Sequence, residues 1–187
     1  NYTLSLHDAL PICLLTDLDI ASAHRLTLIS AAAGSGKTTL LSAWAVRARA
    51  SARGVAWLSL DSLDNDSTRF WASCIAALRT CLPALGEVAL ALLHSPQAPP
   101  ISTVLTTLIN EIMEQAQEIL LVLDDYQVIG EQAIHEEMTF LLDHPPANLH
   151  LIVASRTDPD LPLSRWRARN QMGEIRDPDL RFNQEEA

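Results

Sequence analysis

Residues Ala31-Ala32-Ala33-Gly34-Ser35-Gly36-Lys37-Thr38-Thr39 gather two glycines, a lysine and two threonine hydroxyls into one short stretch. Those residue types at that spacing can hold a phosphate chain. Glycine permits backbone angles that a Cβ obstructs, so that successive N–H groups can converge on an anion. A helix that starts at the lysine adds the partial positive charge of its N-terminus. Lys37 would then reach β- and γ-phosphates and the Thr38 hydroxyl would hold Mg²⁺. Ala33, Gly34, Ser35, Gly36 and Thr39 would complete the nucleotide-binding set. The usual pattern is G-x-x-x-x-G-K-[ST], and Ala31 stands where its first glycine would be. The plain alternative is a small-residue turn. Against it, Leu26–Ser30 reads as a buried strand before the loop, and Leu40, Leu41, Trp44 and Ala45 recur at the core spacing of a helix after it.

A second chemical landmark is Ile119-Leu120-Leu121-Val122-Leu123-Asp124-Asp125. Five consecutive aliphatic residues suit a strand covered on both faces, as in a parallel sheet. The two carboxylates fall at its C-terminal end, where ligands sit in open α/β sheets. This has the form of a Walker B strand: Asp124 would bind Mg²⁺ through water, and Asp125 would polarise an attacking water. The alternative is a buried strand that exits into an acidic turn. A further strand at Leu149–Ser155 ends on Arg156, which could touch the γ-phosphate from the same edge. The bland reading of Arg156 is a surface ion pair with Asp158 or Asp160. Lys37, Asp125 and Arg156 are thus the candidate catalytic residues, and Thr38 and Asp124 the candidate metal ligands.

These groups need elements to position them. Periodicity predicts helices over residues 36–52, 68–82 (stopped by Pro83), 84–93, 101–117 and 131–143. Short strands are expected over 55–60 and 174–176. Arg47, Arg49 and Arg53 suit a solvated helix C-terminus, with a phosphate role as the lesser alternative. The acidic stretch 61–66 reads as helix-capping loop, with metal or water assistance as its alternative. Arg165, Arg167 and Arg169 fall on a short helix, and residues 183–186 resemble a helix start.

Composition narrows the function classes. The 187-residue chain is 48% hydrophobic, enough for a core, and carries a formal net charge of −10. That charge argues against this chain itself gripping DNA or an anionic membrane. Cys13, Cys74 and Cys81 form no C-x-x-C pair or zinc-like spacing with histidine, which suits reduced thiols in a cytoplasmic protein. No apolar run approaches the roughly 18 residues of a membrane span. The scattered histidines suggest no metal pair.

In combination, Trp57-Leu58-Ser59-Leu60-Asp61, Asp64-Asn65-Asp66, Arg69-Phe70-Trp71, Leu123-Asp124-Asp125-Tyr126, Ala154-Ser155-Arg156-Thr157-Asp158-Pro159 and Asp179-Leu180-Arg181-Phe182 with Glu185-Glu186-Ala187 resemble one family. They are similar to the NB-ARC/NOD-like nucleotide-binding domain of the large ATP-binding LuxR-type transcriptional regulators, relatives of the maltose-regulon activator among the signal-transduction ATPases with numerous domains (STAND). The resemblance implies an α/β fold, a three-layer P-loop NTPase of the additional-strand (ASCE) type with a central parallel sheet, cut at both ends. It implies ATP/ADP and Mg²⁺ as ligands and a switch with slow hydrolysis whose ATP state favours homo-oligomerisation. It also implies a C-terminal sensor and helix-turn-helix, outside this sequence, as the only DNA-binding part. Ala32 departs from the family's usual proline. A basic, proline-containing segment that helps hold adenine in the family has no counterpart at the front.

Residues 3–12 resemble one reading frame of a sequencing-adapter oligonucleotide. The expected division is therefore a non-native string over 1–12, a P-loop domain over 13–176, and the start of a helical or winged-helix domain over 177–187. Two other functions stay open. One is a ring-forming P-loop motor or loader, for which Arg165, Arg167 or Arg169 could serve across subunits. The other is a non-enzymatic module with a relic phosphate loop.

Overall fold

The computed structural model describes residues 12–180. Residues 3–11 of the adapter-like string and the helix start expected at 183–186 lie outside the described residues. Five strands, β1 (Leu26–Ser30), β2 (Gly54–Ser59), β3 (Ile119–Asp124), β4 (Leu149–Ser155) and β5 (Met172–Arg176), form one all-parallel sheet in the order β2-β3-β4-β1-β5. Every residue of β1 and β3 is buried, as a sheet covered on both faces requires.

Alternate strand residues feed two separate cores, which makes the molecule three-layered. Ile29, Val55, Leu120, Val122, Ile152 and Ala154 pack under α1 (Ile12–Ala21) and α2 (Lys37–Ala50). Leu28, Ala56, Leu121, Leu123, Leu151 and Val153 pack on the other face. That face carries α3 (Ser67–Arg79), α4 (Glu87–Leu93), α5 (Ile101–Met113), α6 (Gln132–Asp143) and α7 (Leu163–Ala168), and a last turn, α8 (Asp177–Leu180), follows β5. This is the three-layer α/β fold that the sequence led us to expect.

The strands begin and end close to where the pattern placed them; the helices are shorter. α3 stops at Arg79 rather than at Pro83, so Cys81 lies beyond it and shares no helical face with Cys74. Both thiols are free, and burial pushes the Cys74 thiol well above its usual range. α5 stops at Met113, four residues early, because the Asn148 amide donates to the carbonyls of Ile112 (2.7 Å) and Gln115 (2.9 Å) at its end. A partner distant in sequence satisfies the orphan carbonyls that a further helical turn would have used.

The layer of α1 is pinned on two sides. The Thr27 hydroxyl donates to the Ala21 carbonyl at 2.8 Å from within β1. On β5, a Cβ at Gly173 would stand 2.8 Å from the Ala21 Cα, closer than backbone atoms tolerate. Gly173→Ala should therefore lower stability by about 1–3 kcal/mol through forced separation of α1 from β5. Urea unfolding monitored by far-UV circular dichroism reads this as a lower midpoint at unchanged m-value.

Candidate functional site

The loop between β1 and α2 is built by backbone first. Its start is fixed by the Ala31 N–H donating to the Ser155 carbonyl at 3.2 Å. Gly34 and Gly36 adopt φ of 77° and 86°, in the left-handed region that favours glycine, with open space where each Cβ would stand. Gly36 caps α2, which begins at Lys37. Lys37 is buried, and its Nζ donates to the carbonyls of Ala31 (2.6 Å) and Ala32 (2.8 Å) across the mouth of the loop. Burial lowers its pKa below the ordinary value, the Arg156 guanidinium adds to that, and Asp125, Asp124 and Asp177 oppose it.

Thr38, one residue on, reaches the acidic strand. Its Oγ1 donates to Asp124 Oδ2 at 3.0 Å. Asp124 is buried at 3% exposure, and its other oxygen accepts from the Asp125 N–H at 3.0 Å. Asp125 is a non-glycine residue at φ 58°, and it opens a 3₁₀ turn over Tyr126–Val128. Its Oδ1 accepts from Gln127 Nε2 at 2.7 Å and lies 3.9 Å from Arg156 Nη2. Gln127 Oε1 in turn accepts from the Arg156 N–H at 3.0 Å. Ala33, Gly34, Gly36, Lys37, Thr38, Thr39, Asp125 and Arg156 line one cleft of about 330 Å³.

The pairing of Arg156 differs from the ion pairs that neighbouring residues suggested. Asp158 is taken up by the Ser30 hydroxyl (3.0 Å), Arg167 (3.5 Å) and Arg176, and the Arg176 hydrogen bond holds its carboxyl below the usual range. Asp160 lines a different cleft with His135. The acidic stretch is spent on caps: Asp61 accepts from the Leu63 N–H, Asp64 from the Asp61 N–H, and Asp66 from the Arg69 N–H. Arg47 pairs with Asp19 at 2.8 Å and Arg53 with Glu118 at 3.4 Å. Arg47 sits about 15 Å along α2 from Lys37, and Arg53 lies beyond the end of that helix. Arg165 is held by Asp143 at 2.6 Å, and Arg167 by Asp158 and Glu174.

Two site residues escaped the sequence reading. One is Gln127, whose only signal is its place two residues after the acidic pair. The other is Asp177, whose Oδ1 accepts from the Ala32 N–H at 3.3 Å. Ala32 stands where the resembled family usually has proline, a residue without an N–H to give. That departure provides the donor that Asp177 uses.

Mg²⁺ and a triphosphate fit these residues. Thr38 Oγ1 and the Asp124 carboxylate form a pair of hard oxygen donors, and a hard cation would balance a buried carboxylate whose hydrogen bonds, among the described residues, come from one hydroxyl and one N–H. Ser35 Oγ is buried in the loop with no hydrogen-bond partner among the described residues, a donor that a phosphate oxygen would satisfy.

No family model matches the chain. It is 40% identical over 174 residues to the HTH-type transcriptional regulator MalT of Yersinia pestis (strain Pestoides F), and 38% identical to MalT of Yersinia enterocolitica serotype O:8 / biotype 1B. Each alignment covers 93% of this chain and 19% of the relative's length. The chain is therefore similar, over nearly its whole length, to one segment of MalT, and it spans about a fifth of the length of the curated relatives it matches. Its fold is similar to Cdc6p of Pyrobaculum aerophilum (TM-score 0.60, 17% identity, 94% of this chain and 47% of that one). It is also similar to AMPPCP-bound DnaA of Aquifex aeolicus (TM-score 0.50, 13% identity, 99% of this chain and 52% of that one). The three-layer fold is that of a P-loop NTPase domain. No helix among the described residues is long and apolar enough to cross a membrane.

The state of Lys37 has a pH consequence. Its folded-state pKa is lowered while the unfolded chain keeps the ordinary value near 10.5, so between those two values the unfolded state binds more protons. Stability rises with pH across that window. Lys37→Met removes the titrating group and should flatten this alkaline slope, read from denaturant unfolding across the mildly alkaline range.

Proposed function

We propose that this domain binds Mg²⁺-ATP at the cleft between the β1–α2 loop and the C-terminal ends of β3 and β4, and hydrolyses it slowly. The observation that carries the reading is the 3.0 Å meeting of the Thr38 hydroxyl with the Asp124 carboxylate beside the open glycine loop. In this reading, amides of residues 33–39 cradle the phosphates at the N-terminus of α2. Lys37 leaves the Ala31 and Ala32 carbonyls for the β- and γ-phosphates, and Thr38 and Asp124 hold Mg²⁺. Held by Thr38 and Asp124, Mg²⁺ would supply neutralisation of the phosphate charge. Asp125 takes a proton as water attacks the γ-phosphorus; the bond to the β,γ-bridging oxygen breaks, and ADP and phosphate leave. Arg156, at the tip of β4, meets the charge on the γ-phosphate.

The MalT relatives carry the name of transcriptional regulators, and we infer that the ATP/ADP state of this domain controls assembly and activation of such a regulator. A C-terminal sensor and a helix-turn-helix module outside the present chain would supply inducer and DNA contact. The motor or loader reading asks for a cationic side chain free to act across subunits; Arg165 and Arg167 are committed to intramolecular ion pairs, which leaves the exposed Arg169 as its candidate.

Calorimetry tests the binding half. Lys37→Ala should weaken Mg²⁺-ATP binding at least about 100-fold through loss of a charge-assisted phosphate contact. Asp124→Asn should remove most of the Mg²⁺ dependence. Asp125→Asn should leave affinity within a small factor and cut turnover by roughly 10²- to 10⁴-fold, the range of a general base. Wild-type protein that shows no Mg²⁺-dependent ATP binding would falsify the proposal, and equal affinity in Lys37→Ala would reduce the loop to a relic.

A further inference from the structure

We propose that Gln127 is a positioning residue for this hydrolysis: its carboxamide sets the Asp125 carboxylate and ties it to the tip of β4, so that Asp125 and Arg156 address one phosphate as a unit. The inference rests on the nucleotide reading above and deepens it.

The two bonds of the amide run in opposite senses, and chemistry fixes its orientation. An ionised carboxylate only accepts and a backbone N–H only donates, so the NH₂ faces Asp125 (2.7 Å) and the carbonyl oxygen faces the Arg156 N–H (3.0 Å). The bridge stands where the sheet stops providing one. The β3–β4 ladder ends at the Leu123–Val153 pair, and Asp125 and Arg156 both lie beyond it. Past that point Gln127 and the 3.9 Å Asp125–Arg156 approach join the two strand tips.

The turn itself does not depend on this side chain. Its backbone is closed by Val128 N–H to the Asp125 carbonyl and by Ile129 N–H to the Tyr126 carbonyl, each 3.1 Å. Tyr126 anchors it from below, fully buried, with its hydroxyl 3.1 Å from His135 Nδ1. Asp125 holds a left-handed backbone, so its side chain leaves the strand in a direction set by that turn. With Oδ1 engaged by Gln127, the second carboxylate oxygen is the one left for a water proton. A 1 Å misplacement of such a group is enough to cost catalysis while binding survives.

The test compares Gln127→Ala and Gln127→Glu with wild type, each also in an Asp125→Ala background, by calorimetric Mg²⁺-ATP affinity, steady-state turnover and unfolding midpoint. Gln127→Ala should lower turnover about 10- to 100-fold with affinity changed less than about threefold. Gln127→Glu keeps the acceptor for the Arg156 N–H but cannot donate to Asp125, and should lose at least as much. Neither change should lower turnover further once Asp125 is alanine, because a residue acting through Asp125 has nothing left to position. Wild-type turnover in Gln127→Ala, a loss that multiplies with that of Asp125→Ala, or a loss that only follows a lowered unfolding midpoint overturns the inference and leaves the nucleotide reading standing. Wild type that binds Mg²⁺-ATP without turning it over also overturns it. Wild type that binds no Mg²⁺-ATP removes both.

Discussion

The hydrogen bond from Thr38 to Asp124 joins two strands that never pair. β4 lies between β1 and β3, so two strand spacings, about 9.5 Å, separate the chain segments that carry these residues. The β1–α2 loop covers that distance, which it can do only because Gly34 and Gly36 turn through left-handed angles and release α2 over the edge of the sheet. The parallel sheet puts all five C-terminal ends on that edge, and the inserted strand brings Arg156 into the gap. Loop, acidic strand and arginine are brought together by strand order, since none is adjacent to another in the chain.

The site keeps charges out of water at some expense to stability. Lys37 and Asp124 are both buried, each satisfied by a small number of short-range partners. Two other buried carboxylates show what a purely structural solution looks like. Glu137 accepts from the Ser67 hydroxyl and from Trp71 Nε1 at 2.7 Å, locking α3 to α6. Asp64 accepts from the Asp61 N–H and the Ser73 hydroxyl at the start of α3. Burial of an acid is therefore no sign of chemistry in this molecule. What separates Asp124 is the open glycine loop that precedes its hydroxyl partner, together with a cleft alongside.

The segment after β5 also meets the site. Asp177 accepts from the Ala32 N–H, and Leu180 is buried in the core shared with α2. Beside it, Arg176 joins Asp158, which in turn holds the Ser30 hydroxyl at the end of β1. The ends of β1, β4 and β5 are thus cross-linked by side chains where their ladders finish.

Sequence alone determined the pieces whose information is local. Leu26–Ser30, Ile119–Asp124 and Leu149–Ser155 are legible with their bounds, because consecutive apolar residues in a strand buried on both faces leave little ambiguity. The glycine loop and the helix start at Lys37-Thr38 are legible for the same reason: both are set by neighbours in the chain. Tertiary structure decided whatever depends on partners far apart in sequence. Asn148 ends α5 from more than thirty residues away, Asp177 reaches back to Ala32, and Asp158 is claimed by Arg176, which leaves Arg156 to face Asp125. Gln127 carries no local pattern beyond its place after the acidic pair; its meaning comes from a partner 29 residues on, where the chain returns as β4 and places a single backbone N–H within reach of its amide.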